Sequence, residues 1–117
     1  MILSMGLSVS FSGCSLRNGI PSNVPLSRLM IETDAPWCDI RPEHAGYPFL
    51  AVEHVFPTQP AEKWKADCCV KRRTEPCHIV QVLDVVAGFL KSSKDEIAAA
   101  CYANAMAMFF PESYEQK

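Results

Sequence analysis

Proline decides where this chain can be regular. Nine of the 117 residues are proline, crowded between Pro21 and Pro76. Each fixes φ near −65° and removes a backbone donor. Regular structure is therefore confined to a short region near the N-terminus and to the last third of the chain. Residues 35 to 74 read as one long loop, of a length uncommon inside compact domains and often functional. Trp37, Tyr47, Phe49, Phe56 and Trp64 are scattered through it and are expected to pin it to the body.

The regular regions are legible from their periods. Leu7, Val9 and Phe11 alternate with Ser8, Ser10 and Ser12, which predicts a strand within residues 3 to 12. A second strand is expected over residues 29 to 33, ending at Asp34. The connection between them is long enough for a parallel crossover. Asn18-Gly19, Pro21 and Pro25 leave room for no more than one short turn, Pro25 to Arg28. Beyond the loop, Pro76 opens a helix whose apolar stripe is Ile79, Val82, Leu83, Val86, Phe89 and Leu90. Ser93 and Glu96 have the spacing of a capping box for a second helix. Its buried face is expected to be Ile97, Ala100, Cys101, Ala105 and Met108, with Pro111 at its end. The terminal Glu-Ser-Tyr-Glu-Gln-Lys is polar and expected to fray. Strand, crossover, strand, loop and helices make an α/β chain, a class in which function gathers at the carboxyl ends of parallel strands.

Composition is that of one small globular domain: 49% hydrophobic and 21% charged, with net charge −2, so any nucleic-acid contact would rest on a local basic patch. No apolar run approaches the ~18 residues of a membrane span. The N-terminus is apolar but has no basic residue before Arg17, which argues against a secretory leader. Six cysteines are even in number, but Cys68 and Cys69 are adjacent, and Cys14 and Cys101 sit alone on apolar segments. Free, reduced thiols in an intracellular protein, nuclear or cytoplasmic, are expected.

Asp34 is the residue with most to explain. An apolar strand runs into Glu-Thr-Asp-Ala-Pro, and a carboxylate at a buried strand end is costly without a partner. Either it caps the turn before Pro36, or it serves as metal ligand or general base at the top of the strand. Glu32 lies two residues earlier and shares its side if the strand stays extended. His44, His54 and His78 form no metal-binding spacing and read as surface or partly buried residues. Cys68, Cys69, Cys77 and His78 imitate a zinc cluster, but the spacing is irregular and the second pair sits at a helix start. Lys71, Arg72 and Arg73 form a basic cluster before a helix, either a solvated loop or a phosphate contact.

At this point the motif "VPLSRLMIETDAPW" becomes informative. Pro25, Leu26, Leu29 to Ile31, Glu32, Thr33, Asp34, Ala35, Pro36 and Trp37 resemble the C-terminal signature of the TatD family of metal-dependent deoxyribonucleases. "RRTEPCHIVQVLDVVA" is similar to the family's Arg-Asn-Glu-Pro helix start, with Thr74 in place of asparagine. "YANAMAMFFP" resembles its final helix, with Asn104 and Phe109 at the family's interval. "APWCDIRPEHAG" looks most like the eukaryotic branch.

The resemblance implies the C-terminal fragment of a TIM (β/α)8 barrel: two parallel strands, the long loop and two helices, over residues 1 to 111, followed by a polar tail, 112 to 117. It implies hydrolysis of phosphodiester bonds in DNA, often from a 3′ end, with divalent metal, Mg or Zn. The family's metals are held by a His-x-His, a glutamate, two later histidines and the signature aspartate. Only the last maps onto this chain, as Asp34. Glu32 would support the site, and Arg73 and Glu75 match the Arg-x-Glu-Pro motif. A whole barrel takes ~250 residues and eight strands, so the chain alone is expected to hold no catalytic metal and to be inactive. The alternative is a binding or regulatory fragment that joins a full-length barrel or another partner. DNA is the implied partner, with no membrane, and the unpaired strands favour self-association.

Overall fold

A computed structural model describes residues 2–115. Two parallel strands, β1 (Val9–Phe11) and β2 (Leu29–Ile31), pair in the register Val9↔Leu29, Ser10↔Met30, Phe11↔Ile31. The Glu32 amide donates to the Phe11 carbonyl at 2.9 Å and carries the ladder one residue further. Both strands are shorter than the sequence suggests. Leu3–Met5 is a 3-10 turn closed by Gly6 at φ 77°, so the serine alternation becomes strand only where β2 lies alongside to pair with it. The expected turn before β2 is present as a 3-10 turn, Leu26–Arg28.

The loop between the strands and the helices has structure of its own. Three 3-10 turns, Tyr47–Phe49, Val52–His54 and Ala61–Lys63, punctuate it. A second parallel pair, β3 (Thr58–Gln59) and β4 (Cys69–Val70), joins its two halves. Helix α1 (Ile79–Leu90) follows a 3-10 turn, Pro76–His78. Helix α2 (Lys94–Phe109) starts at Ser93, whose hydroxyl accepts the Glu96 amide at 3.1 Å. A short α3, Pro111–Glu115, stands where fraying is expected. The last two residues of the expected tail, Gln116 and Lys117, lie outside the described residues.

The core is Leu16, Leu29, Val82, Val85, Val86, Ala87, Ile97 and Cys101. It is shared by β2, both helices and the segment after β1. Val82 and Val86 come from the expected stripe of α1. Val85, Ala87 and Asp84 are buried as well, because the loop covers the helix face that an isolated stripe would leave to water. Ile97 and Cys101 of α2 are buried, whereas Met108 is 49% exposed. A 16-residue helix is about 24 Å long and a three-residue strand about 10 Å. The end of α2 therefore outruns the sheet on which it packs.

Aromatic anchoring of the loop is partial. Phe49 packs edge-on to Phe89 at 5.0 Å and Phe56 against His78 at 5.4 Å. Trp37 and Trp64 stand largely in solvent. The stronger anchor is Asp84, whose side chain is fully buried. Its Oδ2 accepts the Ala51 amide at 2.9 Å and His54 Nδ1 at 2.7 Å, and its Oδ1 lies 3.1 Å from the Lys94 ammonium. Gln81 Nε2 adds a bond to the His54 carbonyl at 2.7 Å. The signal for this was an acidic residue in the middle of an apolar helical run.

Cys14 and Cys38 form a disulfide, against the expectation that all thiols are free. Gly13 explains the approach: a Cβ there would meet the Cys38 carbonyl oxygen at 2.0 Å. Cys68, Cys69, Cys77 and Cys101 remain unpaired. Among the described residues, no helix is long and apolar enough to cross a membrane.

Two predictions follow from this packing. Gly46 has an ordinary helical backbone, yet a Cβ there would meet the buried Val85 side chain at 2.4 Å. Gly46→Ala should cost about 1–3 kcal/mol by overpacking, read by urea denaturation. For Asp84, burial pushes the carboxyl pKa up, but the Ala51 amide, then His54 and Lys94, together pull it below its ordinary 3.8. The folded form binds this proton less tightly than the unfolded chain. The stabilisation is therefore fully present above that ordinary value and is lost as pH falls through the lowered one. Asp84→Asn should cost about 1–3 kcal/mol near neutral pH. The gap to the parent should close as the pH is taken down through that window.

Candidate functional site

The chain leaves β2 through Glu32 and Thr33 and turns at Asp34. Asp34 has φ 55°, a left-handed conformation that Asp tolerates better than most residues. Its carbonyl accepts the Trp37 amide at 2.8 Å, and Thr33 Oγ1 accepts the Ala35 amide at 3.3 Å. The turn is thus built from backbone and Thr33, and the Asp34 side chain caps nothing in it. Asp34 is exposed at the carboxyl end of the strand. Its Oδ2 lies 3.7 Å from Cys38 Sγ, a contact only, because a disulfide sulfur has no hydrogen to donate.

Glu32 and Asp34 do not behave as an extended pair. The positive φ at Asp34 breaks the alternation that would put both on one side. Glu32, also exposed, borders an apolar groove with Met30, Cys101, Tyr102, Ala105 and Phe109.

The Arg-x-Glu-Pro segment is tied to the Asp34 turn by one backbone bond, the Thr74 amide to the Pro36 carbonyl at 3.0 Å. Thr74 is buried, and its hydroxyl reaches no partner among the described residues. Arg73 is committed to Glu75, with Nη2 and Nε at 2.7 and 3.1 Å from Oε1. Arg73 and Thr74 wall a cavity of about 240 Å³ together with Thr33, Cys38, Ile40 and His78. The His78 Nδ1 accepts the Glu75 amide at 3.0 Å, so His78 is a turn-former here.

Among the described residues, one group of three or more metal-ligating side chains converges, and it is Cys69, Glu75 and Cys77. The Cys69 thiol is pushed above its ordinary pKa, first by burial and then by Cys77 and Glu75. Asp34 belongs to no such group. A lone exposed carboxylate does not make a divalent site, which takes several ligands. The site implied by the resemblance therefore does not fit this chain's residues taken alone.

Comparison with known proteins bears on the same residues. A family model described as TatD related DNase matches residues 1–110. Deoxyribonuclease Tat-D of Schizosaccharomyces pombe is 35% identical over 105 residues, covering 86% of this chain and 34% of that protein. An Erwinia billingiae protein named 3'-5' ssDNA/RNA exonuclease TatD is 29% identical over 114 residues, covering 92% and 35%. Among solved structures, a TatD family hydrolase from Entamoeba histolytica superposes with TM-score 0.84 at 31% identity, over 94% of this chain and 37% of its own. The chain spans about a third of the length of the curated relatives it matches.

The geometry separates conformational from chemical roles at Asp34. Asp34→Asn should leave the melting temperature unchanged, since no local bond uses the charge. Asp34→Ala should cost about 1 kcal/mol, the penalty of a left-handed backbone without a tolerant side chain. Differential scanning calorimetry of both variants checks the pair.

Proposed function

The chain belongs to the TatD-related DNase family, and we propose that residues 1 to 111 form the C-terminal part of a (β/α)8 barrel that hydrolyses phosphodiester bonds in DNA from a 3′ end. One observation carries the reading. β2 lies parallel to β1 and delivers Asp34, exposed and without a local task, at its carboxyl end. That is where barrel enzymes build their sites. In this reading Asp34 is the chain's one ligand to a divalent ion, Mg or Zn. Glu32 and the Arg73–Glu75 pair are its supporting residues, the pair through the Thr74–Pro36 bond that ties their segment to the turn. The other ligands are not among these residues. By themselves the 117 residues therefore bind no catalytic metal and do not turn over DNA. Lys71 and Arg72, both exposed, are basic groups available to a DNA backbone. The reading places the protein inside the cell, nuclear or cytoplasmic; four cysteines are unpaired, and the Cys14–Cys38 disulfide is the feature that runs against it.

A second reading is favoured by the apolar groove beside Glu32. There Tyr102 and Phe109 stand exposed next to the short sheet. Such a face suits a fragment that joins the remainder of a barrel, a full-length copy or itself.

The purified chain should release no nucleotides from 3′-ended single-stranded DNA in the presence of Mg²⁺, Mn²⁺ or Zn²⁺. Turnover that Asp34→Ala abolishes would overturn the inactivity and keep Asp34 catalytic. Turnover that survives Asp34→Ala would remove Asp34 from the mechanism. Sedimentation of the same sample as a strict monomer, with no complex on adding a full-length relative, would count against the second reading.

A further inference from the structure

We propose that Cys69, Cys77 and Glu75 form a binding site for a thiophilic divalent cation, zinc in particular, separate from the turn that carries Asp34. Their ligand atoms lie within 4.8 Å of one another. A tetrahedral zinc holds sulfur and oxygen ligands at ~2.3 and ~2.1 Å, which sets ligand separations of roughly 3.8 Å. The closure needed is about an ångström, within reach of a rotation at the exposed Cys77.

Sequence spacing hides the site, because Cys69 and Cys77 are eight residues apart. The fold brings them together through a tight return. The Arg73 amide bonds the Val70 carbonyl at 3.1 Å, and Arg72 takes φ 63°. The ligands come from two elements, a strand and the turn that Glu75 caps. Cys69 is in β4, paired to β3; Glu75 is gripped by Arg73; Cys77 is in the 3-10 turn that opens α1.

The donor set fixes the chemistry. Two thiolates and one carboxylate select zinc over Mg²⁺ or Ca²⁺, which want oxygen ligands alone. The ion and the Arg73 guanidinium together balance the three negative charges. The site opens on a cavity of about 470 Å³ walled by Phe56, Pro57 and Trp64, which leaves a fourth position for water. Cys68, next in the chain, is turned away, its Sγ against the Lys65 amide and carbonyl at 3.3 and 3.2 Å. A bound ion would tie β4 to the start of α1 and so clamp the far end of the long loop. Because binding needs the folded arrangement, it adds to stability.

The test is Co²⁺ titration of the reduced full chain, followed by displacement with Zn²⁺. One equivalent of Co²⁺ should produce a sulfur-to-cobalt charge-transfer band, and Zn²⁺ should erase it while raising the melting temperature. Cys69→Ser and Cys77→Ser should each weaken the band, and the double variant should abolish it. Glu75→Gln should weaken affinity with the band retained. Cys68→Ser, Asp34→Ala and the Cys14→Ser/Cys38→Ser pair should keep it. The metal-free melting temperature of each variant separates loss of ligand from loss of fold. No band, a band that survives in the Cys69→Ser/Cys77→Ser variant, or a Cys69–Cys77 disulfide that resists mild reductant would overturn the proposal.

Discussion

A parallel pair of three-residue strands cannot hold itself together, and everything else in this fold answers that weakness. The decisive contact is Asn104 of α2, whose Nδ2 donates to the Leu26 and Leu29 carbonyls at 2.7 and 2.8 Å. It fixes the entry of β2 against the helix at the point where Leu29 enters the core beside Ile97. Remove that side chain and the Leu29 carbonyl loses this donor, while the Leu26 carbonyl keeps only the Leu29 amide. At the other end of the strand, Asp34 is held by the Glu32–Phe11 bond before it and the Thr74–Pro36 bond after it. The loop that follows is secured separately, by Asp84 reaching from α1 to Ala51 and His54.

The same weakness defines what the molecule presents to its surroundings. A sheet of two strands has two unpaired edges, and parallel sheets are normally covered on both faces. Here α2 covers one side and then runs past the strands, leaving Tyr102, Met108, Phe109 and Phe110 largely in solvent. Isolated exposed apolar side chains need no explanation. A cluster at the end of one helix, beside an uncovered strand, does. The relatives are about two and a half times as long as this chain. In the proposed second reading, this exposed cluster is the surface that lies against more protein.

How much of this was legible depended on whether the signal was local. Ser93 capping Glu96, the turn before β2 and the helix opened by Pro76 are local, and they were read correctly. The strand ends were not, because β1 ends where its partner ends, and no local pattern records that. The same holds for β3 and β4, two residues each, which exist only because the loop folds back on itself. The Cys14–Cys38 bond was misread for a related reason: spacing of 24 residues says nothing until Gly13 lets the backbones touch. The end of β2 before Asp34 is legible in Ala35-Pro36, yet the relation of Asp34 to Glu32 is not, since strand alternation assumes an extended backbone and the turn breaks it. The Cys69–Glu75–Cys77 convergence was visible only as an irregular pattern, because a left-handed residue, Arg72, supplies the return.

Asp34 and Asp84 show why a carboxylate's surroundings say more than its motif. Asp84 is fully buried and takes three partners, which together outweigh its burial and keep it charged. That accounts for it completely as a structural residue. Asp34 is the reverse: an exposed side chain on a left-handed backbone, in a turn already closed by its own carbonyl and by Thr33. A residue that carries conformational cost without a local bond to offset it is explained by something outside its immediate structure. In the proposed reading that something is a divalent ion shared with residues of a barrel beyond these strands. In that reading the left-handed backbone at Asp34 is what presenting a ligand at the end of a strand costs.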